Sequence, residues 1–251
     1  MRIRRYQQIA SKALKTMVLL KHDSVKPYIP ESGWYHQETL LSMLEKYTSV
    51  YIKPDKGGGG EGIIRIRQIQ DEIYEYCSPY HCRYVVGKKQ LIKAIDRKLS
   101  PLKRYIIQQG ISLATIKDRP FDLRIFLQKP DEKWELTGMV AKIASPGQIV
   151  TNYCKGSRPC EVSRVLRYIT RNNEKKMSEL FYELYYLSKN VAKILNHRFN
   201  GLKELGIDVG IDKQNHIWIF EVNTRPRFKM FSKLVNPIMY NQIVKNHKKI
   251  I

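Results

Sequence analysis

The sequence predicts an α+β fold, and three observations carry that prediction. From Phe121 onward apolar and polar residues alternate in runs broken by Pro130-Asp131 and Pro146-Gly147, the pattern of antiparallel strands joined by turns. From Glu174 to Asn200 the apolar residues recur at helical spacing instead. Between Val50–Lys53 and Ile64–Arg67, both of strand period, lie the consecutive glycines Gly57, Gly58, Gly59 and Gly60.

The elements follow in order. Residues 1–20 read as a basic amphipathic helix with Tyr6, Ala10, Ala13, Met17 and Leu20 on one stripe. Pro27, Pro30 and Gly33 break the chain, and a short helix from Glu38 to Lys46 turns Leu40, Leu41 and Leu44 inward. After the glycine hairpin come a helix from Lys88 to Leu99 and a strand at Tyr105–Gln108. The strands "FDLRIFLQ", "WELTGMVAKIA" and "GQIVTN" precede the long helix, whose apolar face is Met177, Leu180, Phe181, Leu184, Leu187, Val191, Ile194 and Leu195. Asn173 is its expected N-cap and Gly201 its stop. A hairpin turning at Lys213–Asn215 and a basic C-terminal helix finish the chain. We divide it into a basic helical segment, 1–30, and two α+β subdomains, 31–115 and 116–251.

Composition narrows the class. With 43% hydrophobic and 27% charged residues over 251 positions, the chain reads as globular. No apolar run approaches the roughly 20 residues a membrane span needs, and "MVLL" is too short for a signal-peptide core. A cytoplasmic protein is the expectation. Lysine and arginine total 45 against 23 acidic residues, a net charge of +22 that favours polyanionic partners. Cys77, Cys82, Cys154 and Cys160 lack zinc-site spacing, so reduced thiols are expected.

Gly57, Gly59 and Gly62 satisfy a dinucleotide-type G-x-G-x-x-G, but a strand follows them and no acidic residue stands near position 82. No Walker lysine follows, and the kinase H-R-D and D-F-G signatures are missing. What remains is a glycine hairpin whose backbone N–H groups can approach phosphate. Lys53 ends the preceding strand, where its ammonium suits α- and β-phosphates; taken alone it reads as a solvated edge lysine. Asp208 lies in one C-terminal strand, and Glu221 and Asn223 lie two positions apart on one face of the next. Two carboxylates and an amide oxygen suit Mg²⁺, while ion pairs with the abundant Lys and Arg are the plainer reading. Asp212, nearer the turn, is the weaker metal candidate.

The segments "YIKPDKGGGGEGIIRI", "RYIIQQGISL", "RPFDLRIFLQK", "WELTGMVAKIASPGQIVTNY" and "ELGIDVGIDKQNHIWIFEVNTRP" together resemble the YheC/YheD family of ATP-grasp proteins, associated with endospores. The resemblance runs from about Ser11 to Pro226. "FDLR" and "GID…EVN" are also similar to tubulin-tyrosine-ligase-like and ribosomal-protein glutamate-ligase enzymes. The resemblance implies an ATP-grasp fold, two α+β subdomains gripping ATP between antiparallel sheets, and a spore-coat setting. It implies an ATP- and Mg²⁺-dependent ligase that joins a carboxylate to an amine through an acylphosphate. Carried over, Lys53, Gly57–Gly60 and Gly62 hold the phosphates, and Gln108 with the backbone at Gln109, Gly110 and Ile111 reads adenine. Asp208, Glu221 and Asn223 hold Mg²⁺, and Arg124 faces the transferred phosphoryl group or the acylphosphate.

The sequence departs from the family at two places. Lys142 stands where related ligases commonly carry Arg, and Arg227 replaces a frequent glycine. Lys15 or Lys21 is the choice for an earlier nucleotide lysine. An acidic peptide or protein acceptor is expected in a cleft lined by Arg65, Arg67, Arg124, Lys142, Lys155 and Arg158. Two other classes stay open: a non-catalytic ATP-grasp protein of spore-coat assembly, and a nucleic-acid binder. Against the second, no RNA-binding signature accompanies the 16 tyrosines.

Overall fold

The computed structural model describes residues 6–78, 81–145 and 157–251. Its first helix, α1, spans Lys12–Leu19, and Ser11 caps it by accepting a hydrogen bond from the Leu14 N–H. The expected apolar stripe is corrected here. Lys12, Ala13, Lys15 and Leu19 are buried while Met17 is 54% exposed, because this short helix lies between two bodies rather than on one. Leu19 joins the core of the second sheet, whereas the Ala13 N–H and the Ser11 hydroxyl both donate to Asp55 Oδ1 of the first.

The first sheet is six-stranded and antiparallel. It comprises β1 (Ser32–Trp34), β2 (Val50–Pro54), β3 (Ile64–Gln70), β4 (Ile73–Cys77), β5 (Cys82–Val86) and β6 (Tyr105–Gln109), in the order β1-β6-β2-β3-β4-β5. One face is covered by α2 (Gln37–Lys46) and α3 (Lys88–Asp96), whose Leu40, Met43, Leu44, Leu91 and Ile95 pack on Ile52, Ile66 and Ile107. β2 and β3 are the strands expected to flank the glycines. The β4–β5 hairpin was not anticipated, because its alternation is short and interrupted by Glu75 and Arg83.

That hairpin corrects the expectation of reduced cysteines. Cys77 and Cys82 are directly opposite each other in the β4–β5 register and form a disulfide. Cys160 is a free thiol, and Cys154 lies outside the described residues.

The second sheet contains β7 (Thr115–Ile116), β8 (Arg119–Gln128), β9 (Glu135–Ile143), β10 (Arg158–Cys160), β11 (Glu204–Ile211) and β12 (Ile217–Asn223). Its order is β10-β9-β8-β11-β12, with β7 paired to β8. The strand expected at "GQIVTN" falls outside the described residues. Against one face pack α4 (Val162–Ile169) and α5 (Glu174–Arg198). Asn173 caps α5 as expected, its side chain accepting from the Lys176 N–H. Leu184, fully buried here, would cost about 2–5 kcal/mol if cut back to Ala. Phe181, expected to face inward, is 45% exposed and lies on a flank of aromatic side chains with Tyr182, Tyr185 and Tyr186. The opposite face is covered in part by α6 (Ile238–Ile250) and by Phe231, packed on Phe126 and Val140. Glu204, fully buried in β11, ties both ends of the chain to this sheet: it accepts from Tyr6, Gln128 and His247.

Among the described residues no helix is long and apolar enough to cross a membrane.

Candidate nucleotide and cation site

The alternation of β11 sends Leu205, Ile207, Val209 and Ile211 into the core and Gly206, Asp208 and Gly210 to the other face. The two glycines are needed there. A Cβ on Gly206 would stand 2.6 Å from Pro226 and 3.0 Å from an Arg124 nitrogen, and one on Gly210 would meet Phe220 at 2.4 Å. Asp208 is therefore flanked by room for larger neighbours. In register, it faces Arg124 on β8 and Glu221 on β12.

Asp208 is a hub. Its Oδ1 accepts from Arg124 Nε and Lys142 Nζ, both at 2.9 Å, and its Oδ2 accepts from Arg124 Nη2 at 2.8 Å and Asn223 Nδ2 at 3.1 Å. Burial alone would raise its carboxyl pKa, but the Arg124 and Lys142 charges prevail and hold it below the ordinary value. Lys142, itself buried, also pairs with Asp122 at 3.0 Å. Burial penalises its ammonium, yet Asp122 and Asp208 keep its pKa raised. Arg124, expected to face the phosphoryl group or the acylphosphate, and Lys142, which stands where related ligases commonly carry Arg, thus converge on Asp208.

Lys53 ends up half-buried on β2. Its ammonium donates to Gln108 Oε1 and lies 5.7 Å from the Tyr51 ring and 5.8 Å from the Phe220 ring, the latter on the second sheet. Loss of water lowers its pKa to about 8, against the opposing pull of Glu221. Gln108, expected to read a base, is buried between Lys53 and the Ser32 hydroxyl, to which its Nε2 donates at 3.1 Å. The Gln109 N–H donates to Glu31 O and the Gly110 N–H to Ser49 O, each at 2.8 Å. Ile111 follows where the chain leaves the first sheet for the second.

The glycine loop adopts the conformation that excludes side chains. Gly57, Gly59, Gly60 and Gly62 all have positive φ, between 70° and 119°. No described atom lies within 4 Å of a Cβ built on Gly57, Gly58 or Gly59, so the loop tip is open.

Sequence reasoning missed Lys12. Its Nζ donates to Gly57 O at 2.8 Å and lies 3.6 Å from Glu221 Oε1, linking the loop of the first sheet to β12 of the second. The available signal was a lysine directly after a helix-capping serine, within the segment expected to be helical. Of the two lysines expected as the earlier nucleotide lysine, Lys15 is buried and donates to Ile9 O at 2.7 Å, and Lys21 is exposed. Asp212 caps the β11–β12 turn, accepting from the N–H groups of Gln214 and His216 and from Trp218 Nε1.

The oxygen donors suit a hard divalent cation. Glu221 keeps its side chain 24% exposed beside the loop, and Asn223 spends its Nδ2 on Asp208, which leaves Oδ1 as the atom a cation would meet. Arg65 and Arg67, by contrast, are committed to Glu75 at 2.8 Å. Lys155 lies outside the described residues, and Arg158 is exposed on edge strand β10.

Two antiparallel sheets, with a glycine hairpin on one and carboxylates on the facing strands of the other, define an ATP-grasp fold. The chain belongs to the YheC/D-like ATP-grasp family, whose model matches residues 6–249. It is 25% identical over 235 residues to the endospore coat-associated protein YheC of Bacillus subtilis (strain 168), covering 90% of this chain and 62% of that protein. To YheD of the same organism it is 24% identical over 222 residues, covering 86% of this chain and 48% of that protein. The chain therefore spans less than two thirds of either relative. Among solved structures it is similar in fold to D-cycloserine synthetase DcsG, with a TM-score of 0.59 at 8% identity, over 96% of this chain and 70% of that one. It is similar also to the ATP-grasp ligase PsnB complexed with minimal precursor, Mg and ADP. There the TM-score is 0.54 at 13% identity, over 96% of this chain and 59% of that one.

Proposed function

We propose that this chain is an ATP-dependent carboxylate–amine ligase whose nucleotide lies between the glycine loop and β11–β12. One observation carries the reading: Lys12 touches both the Gly57 carbonyl and the Glu221 carboxylate, so loop, cation and acid meet where a triphosphate needs them. Lys53 and Lys12 hold phosphate oxygens, and the amides of Gly57–Gly60 and Gly62 cover them. Glu221, Asn223 and Asp208 would hold Mg²⁺, which supplies neutralisation of charge between the phosphates. Arg124 and Lys142 fix the Asp208 carboxylate, and the chain segment at Gln109–Ile111 receives the base.

The reaction needs two displacements. A substrate carboxylate oxygen attacks the γ-phosphorus, and ADP leaves. An amine then attacks the acyl carbon of the acylphosphate, inorganic phosphate leaves, and the amine nitrogen loses a proton. The protein contributes alignment and preset charge, and keeps water away, with no nucleophile of its own. The chain's +22 charge supports an acidic polypeptide as the substrate. The names of its two relatives support a setting in the endospore coat.

The test is phosphate release and product mass after incubation with Mg·ATP and acidic, neutral or basic peptides. Phosphate release that depends on an acidic peptide, with a mass gain matching amide formation, is expected. Binding of ATP without release for any peptide would leave a nucleotide-binding protein in place of a ligase.

A further inference from the structure

The edge of the second sheet carries a pocket of about 440 Å³ between β10, α4 and the turn at Lys229–Lys233. Arg164 and Arg167 stand three positions apart on α4 and so share one side of the helix. Lys233 closes the opposite wall. None of these three cations has an ion-pair partner among the described residues. Arg65 and Arg67 are, in contrast, ion-paired with Glu75, and Arg124 and Lys142 with Asp208.

The same pocket has an uncovered apolar surface. Val235 is 99% exposed at the rim beside Leu234. A small inorganic anion would meet the cations but leave this rim uncovered. A peptide carries both complements: side-chain carboxylates and apolar atoms.

We propose that this pocket docks an acidic segment of a polypeptide, with Arg164, Arg167 and Lys233 taking its Asp or Glu carboxylates and Val235 packing on its apolar atoms. Pro159, in the pocket wall, is the register partner of Lys142, so the docked segment lies at the strand next to the Asp208 cluster. The proposal deepens the ligase reading and rests on it for its purpose, while the docking itself needs no nucleotide.

The experiment measures anisotropy of a fluorescein-labelled Glu-rich peptide against the full chain without ATP, together with the melting shift given by Mg·ATP. The Arg164→Ser/Arg167→Ser/Lys233→Ser variant is expected to bind the peptide about tenfold more weakly or worse. Its Mg·ATP shift is expected to match wild type, which also certifies its fold. In a Cys154→Ser background the peptide should slow alkylation of Cys160, whose half-buried thiol lies in the pocket. Equal peptide affinity in the triple variant, unprotected Cys160, or competition by inorganic phosphate or an oligonucleotide equal to that of unlabelled peptide would each overturn the docking site. Lost Mg·ATP response with peptide binding intact would instead overturn the nucleotide reading alone.

Discussion

Arg124 on β8 clasps Asp208 on β11 through two hydrogen bonds, 2.9 and 2.8 Å long, and Lys142 of β9 adds a third cationic contact at 2.9 Å. The carboxylate is thereby positioned by three adjacent strands. In Asp208→Asn both cations would lose their shared counter-charge, Lys142 keeping its pair with Asp122, and stability should fall by about 3–5 kcal/mol. The sign of the pH dependence follows. Burial raises the Asp208 pKa, the two cations outweigh it, and the folded value lies below the ordinary 3.8. Its stabilisation is present above about pH 4 and is lost as pH falls through the folded value. Urea titrations should show a flatter acid limb in Asp208→Asn than in wild type.

Lys53 should take up a proton when triphosphate binds. Its pKa of about 8, set by loss of water against the pull of Glu221, leaves it substantially neutral above that pH. Phosphate oxygens favour the ammonium, so binding at pH 8–9 is expected to be linked to net proton uptake. Calorimetry in two buffers of different ionisation enthalpy reads this directly. In Lys53→Arg, whose guanidinium stays charged, the uptake should shrink. The stability linkage has the opposite sense. The unfolded chain binds the extra proton between about pH 8 and 10.5, so the penalty from Lys53 is present below 8 and relieved as pH rises through that window.

Glu75 is the counter-charge for Arg65 and Arg67 in the sheet that carries the glycine loop. Burial raises the pKa of its carboxyl, but the bonds from Arg67 and Arg65 hold it below the usual range. Glu75→Gln should cost on the order of 1–3 kcal/mol in chemical unfolding, with Mg·ATP binding affected far less than by changes at Lys12 or Lys53.

Thiol titration of denatured, non-reduced protein should find two reactive cysteines, since the Cys77–Cys82 bridge removes two of the four. Treatment with a dithiol beforehand should raise the number to four. Four thiols without reductant would restore the expectation drawn from the sequence.

Much of the fold was legible because its signals are local. The alternation of "FDLRIFLQ", the cap at Asn173 and the turn at Lys213–Asn215 each lie within one element. The shared face of the Glu221 carboxylate and the Asn223 amide was legible too, since the two-residue strand period alone puts both on one side. What escaped depends on contacts between distant segments. Lys12 acquires its place only when α1 is wedged between the sheets, with Gly57 and Glu221 far along the chain. The pairing of Cys77 with Cys82 required the β4–β5 register, and the commitment of Arg124 and Lys142 to Asp208 required three strands side by side. Sequence patterns report which residues carry charge; they do not report which charges cancel.

The most direct measurement is Mg·ATP binding by calorimetry to wild type, Lys12→Ala and Glu221→Gln, with unfolding followed in parallel. Lys12 and Glu221 meet at 3.6 Å beside the open loop, and neither takes part in the hydrogen bonds that Arg124, Lys142 and Asn223 make to Asp208. Both variants should therefore remain folded while losing about tenfold or more in affinity. Wild-type affinity in both folded variants would contradict a nucleotide site between the glycine loop and β12.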